Sequence, residues 1–395
     1  MGTVKKREVK TRKEFVDYAI EDKAKRERPY NLYHIENFII PFDVSIPFDS
    51  KLYPFPNNKT PGILNFKNCE FRGTFRIRNS SENIVFENCD FIEAFNLQNT
   101  RFVKKVRFRK CNFYGKTNFT NTVFNDLADF WRCTFEKKVI FFKTDFLATV
   151  VFSAASFKEN VLFTYSLIDK LILFRGTKIK KGFDISTAIH SGEMGIFDFH
   201  VKDYKCLNKN LSEEAYERAI SEDADIPIKN KRETFRILKQ EHISQHNIVH
   251  SIEYKTLENE TYLKENLSKL LRGESIVSCV SNLFVLSLNW LSSRFGVSYF
   301  QAAFFTLIFG GLFYYFTILS TSKYEMAMNF DWNIFYENIP TYSSYLLPTH
   351  RFDFLGEGFG EKYSFSNWFY FFDIFGRIVI GYGIYQTIQA FRKFR

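Results

Sequence analysis

The sequence predicts a mixed fold: a four-sided β-coil followed by a membrane-associated α-helical region. Three observations carry this reading of the 395 residues. Aromatic residues recur every 22 positions between residues 63 and 185. The apolar spacing turns helical after Lys229, and two long apolar stretches occupy 297–319 and 369–391. Composition agrees, since 49 Phe residues give the chain far more apolar surface than a disordered chain carries.

Element by element, residues 1–60 read as a basic N-terminal segment and a cap for the coil. Its opening, MGTVKKREVKTRKEF, lacks an apolar signal region and a Ser or Thr at position 6. The first part of the chain is therefore expected to stay in the cytosol, without a myristoyl anchor. The charge excess is 54 Lys+Arg minus 44 Asp+Glu, or +10. Residues 61–200 supply +7 of it and residues 201–395 none.

The coil spans 61–200. Phe66, Phe86, Phe108, Phe130, Phe152 and Phe174 form one column. Phe71, Phe91, Phe113, Phe135 and Phe157 form a second. Leu97, Phe119, Phe141 and Phe163 form a third, and Phe102, Phe124, Phe146 and Ile168 a fourth. Within one period the steps alternate between 5 and 6, as in Phe108, Phe113, Phe119, Phe124 and Phe130. A helix would repeat at about 3.6 and a strand at 2, so neither explains the pattern. Small or β-branched residues stand two places before the anchors, among them Cys69, Cys89, Cys111, Cys133, Thr122 and Thr144. Two inward positions per step and four steps per period describe a square coil. Five to six such turns, about 4.8 Å apart, would make a rod of roughly 25 Å.

This pattern resembles the pentapeptide-repeat family, whose motif is a small residue, any residue, then Leu or Phe. The resemblance implies a right-handed quadrilateral β-helix. The extra residue in alternate steps departs from the motif and is expected to bulge at two corners. Some members of that family are acidic rods that imitate DNA and bind DNA topoisomerases; a coil of +7 does not fit that role.

The thiol column Cys89, Cys111 and Cys133 reads as small buried hydrophobes rather than a metal ladder. With no CxxC pair, neither metal nor cofactor is expected. Arg101, Lys104, Lys105, Arg107, Arg109 and Lys110 form a basic cluster around one corner. Its plainest reading is a solvated corner. Docking to anionic lipid or to a cytosolic protein comes next, and nucleic acid is the least favoured partner.

Residues 201–272 read as a polar linker, to residue 228, followed by a helical hairpin that turns near Gln245–Asn247. That hairpin resembles one following pentapeptide repeats in membrane-anchored bacterial proteins. His242, His246 and His250 step by four, but a turn at Asn247 would break the ladder. Residues 273–296 read as an amphipathic helix in the inner membrane interface, its polar stripe being Ser278, Ser281, Asn282 and Asn289.

The first span is 297–319 and the second 369–391, each long enough to cross about 30 Å of hydrocarbon. The loop at 320–368 has three basic residues against six acidic ones, while Arg392, Lys393 and Arg395 form a basic tail at 392–395. The positive-inside rule then puts the loop outside and both termini in the cytosol of an inner-membrane protein. Gly376, Gly383, Thr387 and Ala390 form a small face for helix packing. Asp373 and Arg377, four apart on another face, can pair and lower the cost of burying charge. They, with Gln386 and Gln389, are candidates for lining or gating a pore; a depth-fixing pair at the outer interface is the plainer alternative. Gly381-Tyr382-Gly383 lies inside the second span, where a potassium filter would not. A re-entrant helix at Asn333–Leu347 is opposed by Pro340.

The sequence has no GxSxG, P-loop or HExxH motif, so no catalytic residues and no enzyme are expected. Two readings follow. One is an oligomeric pore or ion-channel-like protein with a cytosolic regulatory coil, which the C-terminal region resembles; a homotetramer is the analogy from two-span channels. The other is a membrane-anchored scaffold whose coil binds a cytosolic partner.

Overall fold

Four walls of short parallel strands stack one turn above another, as the aromatic columns require. The computed structural model describes residues 6–15, 17–18, 32–46, 63–325, 331–356 and 362–392. Most of the N-terminal segment and the basic tail beyond Arg392 lie outside these. Among the described residues the walls hold eight, seven, five and eight strands. One wall runs from Leu32–Glu36 through Ile63–Lys67 to Glu193–Gly195. Its last seven strands mark six turns, and Leu32–Glu36 adds another, so part of the expected cap is itself coil.

Pairing is in register by one period: Phe108 lies opposite Phe86, and Phe113 opposite Phe91. Each Phe therefore stacks on its equivalent one turn away. Phe86 and Phe108 are 4.9 Å apart at 4°, and Phe130 and Phe152 5.1 Å apart at 7°. Between columns the rings meet edge to face, as Phe95 and Phe108 do at 5.4 Å and 87°. Both geometries suit the ring quadrupole.

The two kinds of corner differ in their backbone. Left-handed residues stand in the five-residue steps: Asn68, Asn88, Lys110, Arg132 and Ala154 at one corner, Asn99, Asn121, Lys143 and Tyr165 at another. The extra residue instead falls in the steps Phe113–Phe119 and Phe124–Phe130, which have no left-handed residue. At the left-handed corners a main-chain carbonyl is turned inward. The small polar residue of the next turn satisfies it: Thr122 Oγ1 donates to Leu97 O at 2.8 Å, Thr144 Oγ1 to Phe119 O at 2.7 Å, and Cys133 Sγ to Phe108 O at 2.9 Å. This explains why these inner positions are small and polar rather than merely small.

Burial pushes the thiols of Cys69, Cys89 and Cys111 well up, and the thiol of the next turn adds to the effect for each. A thiol in an unfolded chain ionises near pH 8.5. The raised value favours the protonated folded form, a stabilisation that falls away as pH rises above about 8.5. Iodoacetamide at pH 8 should therefore label half-buried Cys206 while leaving Cys89 and Cys111 intact. Peptide mass spectrometry of the native protein showing equal labelling would contradict the buried column.

Residues 201–228 are not a free linker. α1 (Glu213–Arg218) leads into a π-turn at Ala219–Asp223, and Ile220, Ala224 and Ile226 pack on Ile140, Phe142 and Leu162 of the coil. α2 (Ile228–Ser244) begins by covering the end of the coil. Asn230 Nδ2 and Thr234 Oγ1 donate to the buried Asp184 carboxylate at 3.0 and 3.2 Å. A solenoid needs such a cover over its last turn.

The chain divides into two compact units, residues 1–237 and 238–395. In the second, the end of α2 and α3 (Ile248–Leu271) form the expected hairpin, with Lys239 Nζ 2.7 Å from Glu258 Oε2. His246 takes a left-handed turn and Asn247 caps α3, which breaks the histidine ladder. α4 (Ile276–Ser293), α5 (Tyr299–Leu319), α6 (Trp332–Tyr345) and α7 (Asn367–Phe391) follow.

Candidate functional site

Two helices among the described residues, α4 and α5, are long and apolar enough to cross a membrane. The sequence predicts α5 and α7 as the spans instead. α7 is longer at 25 residues, but Asp373, Arg377, Gln386 and Gln389 reduce its apolar character. Of 39 large apolar side chains exposed among the described residues, 6 belong to the first unit and 33 to the second. Phe284, Phe300, Ile308 and Ile378 are among the 33. Exposed apolar patches on this scale are the kind that mark membrane or protein contact sites.

α7 packs through small residues, with Gly383 against α5 and Gly376 against the end of α6. A methyl group on Gly383 would fall 2.2 Å from Thr306 Oγ1, and one on Gly376 would fall 1.9 Å from Tyr345 Oη. Ala390 is fully buried, while Thr387 is half-buried and donates to Gly383 O at 2.9 Å. Asp373 does not lie on another face, as the sequence reading had it. Phe369, Asp373, Gly376, Ile380, Gly383 and Ala390 form one buried stripe at steps of three, four and seven.

Asp373 is wholly buried and bridges Arg377 and His350. Arg377 Nε donates to its Oδ2 at 2.7 Å, as the i, i+4 spacing suggested. Its other oxygen, Oδ1, lies 2.7 Å from His350 Nε2. Sequence reasoning missed His350, which sits 23 residues earlier in the loop. His350 Nδ1 in turn faces Leu347 O at 2.7 Å. A carbonyl only accepts, so Nδ1 carries a proton and donates. The His350–Asp373 contact then holds one further proton, on the imidazole or on the carboxyl. Arg377 Cζ lies 4.7 Å from the Phe352 ring, and its Nη2 is buried without a hydrogen-bond partner among the described residues.

The loop carrying His350 is held by α6, where Pro340 is accommodated inside the helix. Tyr342 Oη donates to Leu307 O, near the middle of α5, at 2.6 Å. Tyr314 Oη contacts Asn338 O and Thr341 Oγ1. Tyr345 Oη lies 3.2 Å from Thr317 Oγ1 and donates to Phe372 O at 3.3 Å. α6 thus packs back along α5, and the segment after it returns past α7.

Gln386 is also buried. Its Oε1 accepts from Ser293 Oγ at 2.7 Å and its Nε2 donates to Asn289 Oδ1 at 3.1 Å. Tyr382 of the Gly-Tyr-Gly stretch donates to the same Asn289 oxygen at 3.1 Å. The two Asn residues of the α4 stripe are therefore taken up by neighbouring helices, with Asn282 donating to Tyr262 Oη at 3.0 Å, while Ser278 and Ser281 are exposed. Gln389 bonds Tyr385 Oη at 2.6 Å on an exposed face.

The six basic residues of the coil do not share one corner. Arg101 lies on one wall, Lys104 and Lys105 at the corner after it, Arg107 and Arg109 on the next wall, and Lys110 at the corner beyond. Lys104 Nζ is 3.7 Å from Glu82 and Arg109 Nε 2.8 Å from Asp129.

No curated protein and no solved structure matches the chain. A family model described as "Pentapeptide repeats (9 copies)" matches residues 97–145. This portion of the coil thus carries the pentapeptide repeats that its Phe columns implied.

Proposed function

We propose that the protein is an oligomeric pore or ion-channel-like protein of the bacterial inner membrane, with the coil as a cytosolic regulatory or assembly domain. The observation that supports this reading is that α6 packs back along α5, while the segment after it is tied to Asp373 of α7. Non-helical backbone at membrane depth is tolerated where protein or a water-filled cavity surrounds it. A helix that reaches the middle of α5, followed by a return segment tied to Asp373, is an arrangement a simple anchor does not need.

In this reading α5 and α7 cross the membrane, and α7 tolerates its polar groups because Asp373 and Gln386 are turned into the fold. α4 lies at the inner interface, since a third crossing would separate the coil from the basic end of α7. One chain with two crossings cannot enclose a pore, so several copies must assemble; a tetramer is an analogy only. The exposed apolar faces of α5 and α7 would then meet lipid and neighbouring copies. Asp373 positions the loop, and Arg377 and Gln389 are the polar groups nearest the free surface. No catalytic step is assigned.

Ion flux across liposomes holding the purified protein tests this, beside an Asp373→Asn/Arg377→Gln variant. The proposal expects flux that changes in rate or ion preference in the variant. Silence under varied voltage, membrane tension and pH would overturn it, in favour of a membrane-anchored scaffold for a cytosolic partner.

A further inference from the structure

A groove of about 830 Å³ opens on the surface of the coil, and its shape follows from the repeat. The left-handed corner column reads Lys110, Arg132, Ala154, Gly176 and Asp198, one residue per turn. The column beside it reads Arg109, Trp131, Ser153, Arg175 and Phe197. Where neighbouring turns carry long side chains, Ser153, Ala154 and Gly176 leave a depression. Trp131 and Phe197 wall it three turns apart, about 14 Å at the strand spacing.

The rim is aromatic and cationic together. Arg132 Cζ lies 4.6 Å from the Trp131 ring centroid and Lys110 Nζ 5.6 Å. Arg175 Cζ lies 5.2 Å from the ring of Phe197, which is 71% exposed. Four cations (Arg109, Lys110, Arg132, Arg175) against two carboxylates (Asp129, Asp198) leave a net +2. Asp129 is buried, with one oxygen bound by Arg109 Nε at 2.8 Å and the other by Trp131 N at 3.1 Å. It repels an incoming anion little. Asp198 is well exposed at the rim, where it can accept from a hydroxyl or amino group.

We infer that this groove binds a nucleotide. A planar base suits the rings and guanidinium planes, since stacking on such side chains contributes about 1–3 kcal/mol per base. A phosphate suits Arg175 and Arg132. Ribose hydroxyls or an exocyclic amine suit Asp198. A bare anion would leave the aromatic walls unused, and a neutral aromatic would leave the guanidinium groups unpaired. The inference concerns the coil alone and does not rest on whether the protein conducts.

Titration calorimetry of the full-length protein in detergent with AMP, GMP, CMP and UMP tests it, with nucleosides and inorganic phosphate as controls. At least one mononucleotide should bind, at least tenfold tighter than its nucleoside and than phosphate. Arg175→Gln should weaken that binding at least tenfold. Ala154→Tyr should do the same by filling the floor. Its fold should survive, because Tyr165 already holds a left-handed corner, at φ 50° against 57° for Ala154. Circular dichroism checks this directly. Absence of binding by all four nucleotides at millimolar concentration would overturn the inference. So would phosphate binding as tightly as a nucleotide, or unchanged affinity in a folded Ala154→Tyr protein.

Discussion

Asp373→Ala should destabilise the helical unit by about 3–5 kcal/mol, the range for breaking a buried ion pair from one side. The carboxylate sits with no exposed surface between Arg377 Nε and His350 Nε2, each at 2.7 Å. Removing it leaves a guanidinium beside an imidazole, inside apolar packing made by Tyr345, Phe354 and Phe369. His350→Ala should cost less, because Arg377 still neutralises the carboxylate. The losses should not add, since the three groups act as one network. Hydrogen exchange of residues 346–355 in detergent is the local readout. These amides should exchange much faster in Asp373→Ala while those of the coil keep their rates. Wild-type exchange and melting in that variant would show that the triad does not hold the loop.

The triad also marks the limit of what was legible in the sequence. Asp373 and Arg377 were found because i, i+4 spacing on a helix is a local relation. His350 was not, because nothing local links it to Asp373; the link exists only after α6 has packed along α5. The face of Asp373 was misjudged for a different reason. Gly376, Gly383 and Ala390 predict a stripe of small residues, which leaves a carboxylate to another face. Yet 373, 376, 380 and 383 step by three and four, and the helix buries the charge because a partner awaits it. The coil was legible almost in full, since each turn pairs in register with the next and the Phe period is the structure. It was lost in two places. Strands at 32–46 are cut from the repeat by the intervening residues 47–62, and residues 207–227 looked like linker because only a few apolar side chains, Ile220 and Ile226 among them, dock them. Polarity alone makes Gln386 a pore-lining candidate. Its partners Ser293 and Asn289 lie about a hundred residues away, on a helix that the sequence predicts for the membrane interface.

Phe130→Ala should cost a further and separate amount, about 3–5 kcal/mol by the usual range for a buried Phe. Phe130 is fully buried in the middle of the coil. Its ring stacks on Phe108 at 5.3 Å and Phe152 at 5.1 Å, and meets Phe119 edge to face at 5.6 Å. The in-register strands fix the spacing of the turns, so neighbouring rings cannot close the gap without breaking main-chain hydrogen bonds such as Phe130 N to Val151 O at 2.7 Å. A coil depends on its neighbouring turns, so a defect in the middle should let it open there before its ends do. Limited proteolysis of the full-length variant should cut first at the exposed corners of the adjoining turns, around Asn121 and Lys143. Phe130→Leu should recover most of the loss, because Leu already fills an inward position of another column at Leu97 and is fully buried there. A Phe130→Ala protein that resists proteolysis as well as wild type would mean that the aromatic columns fill the coil without holding it together. The stability would then have to come from the four walls of hydrogen bonds alone.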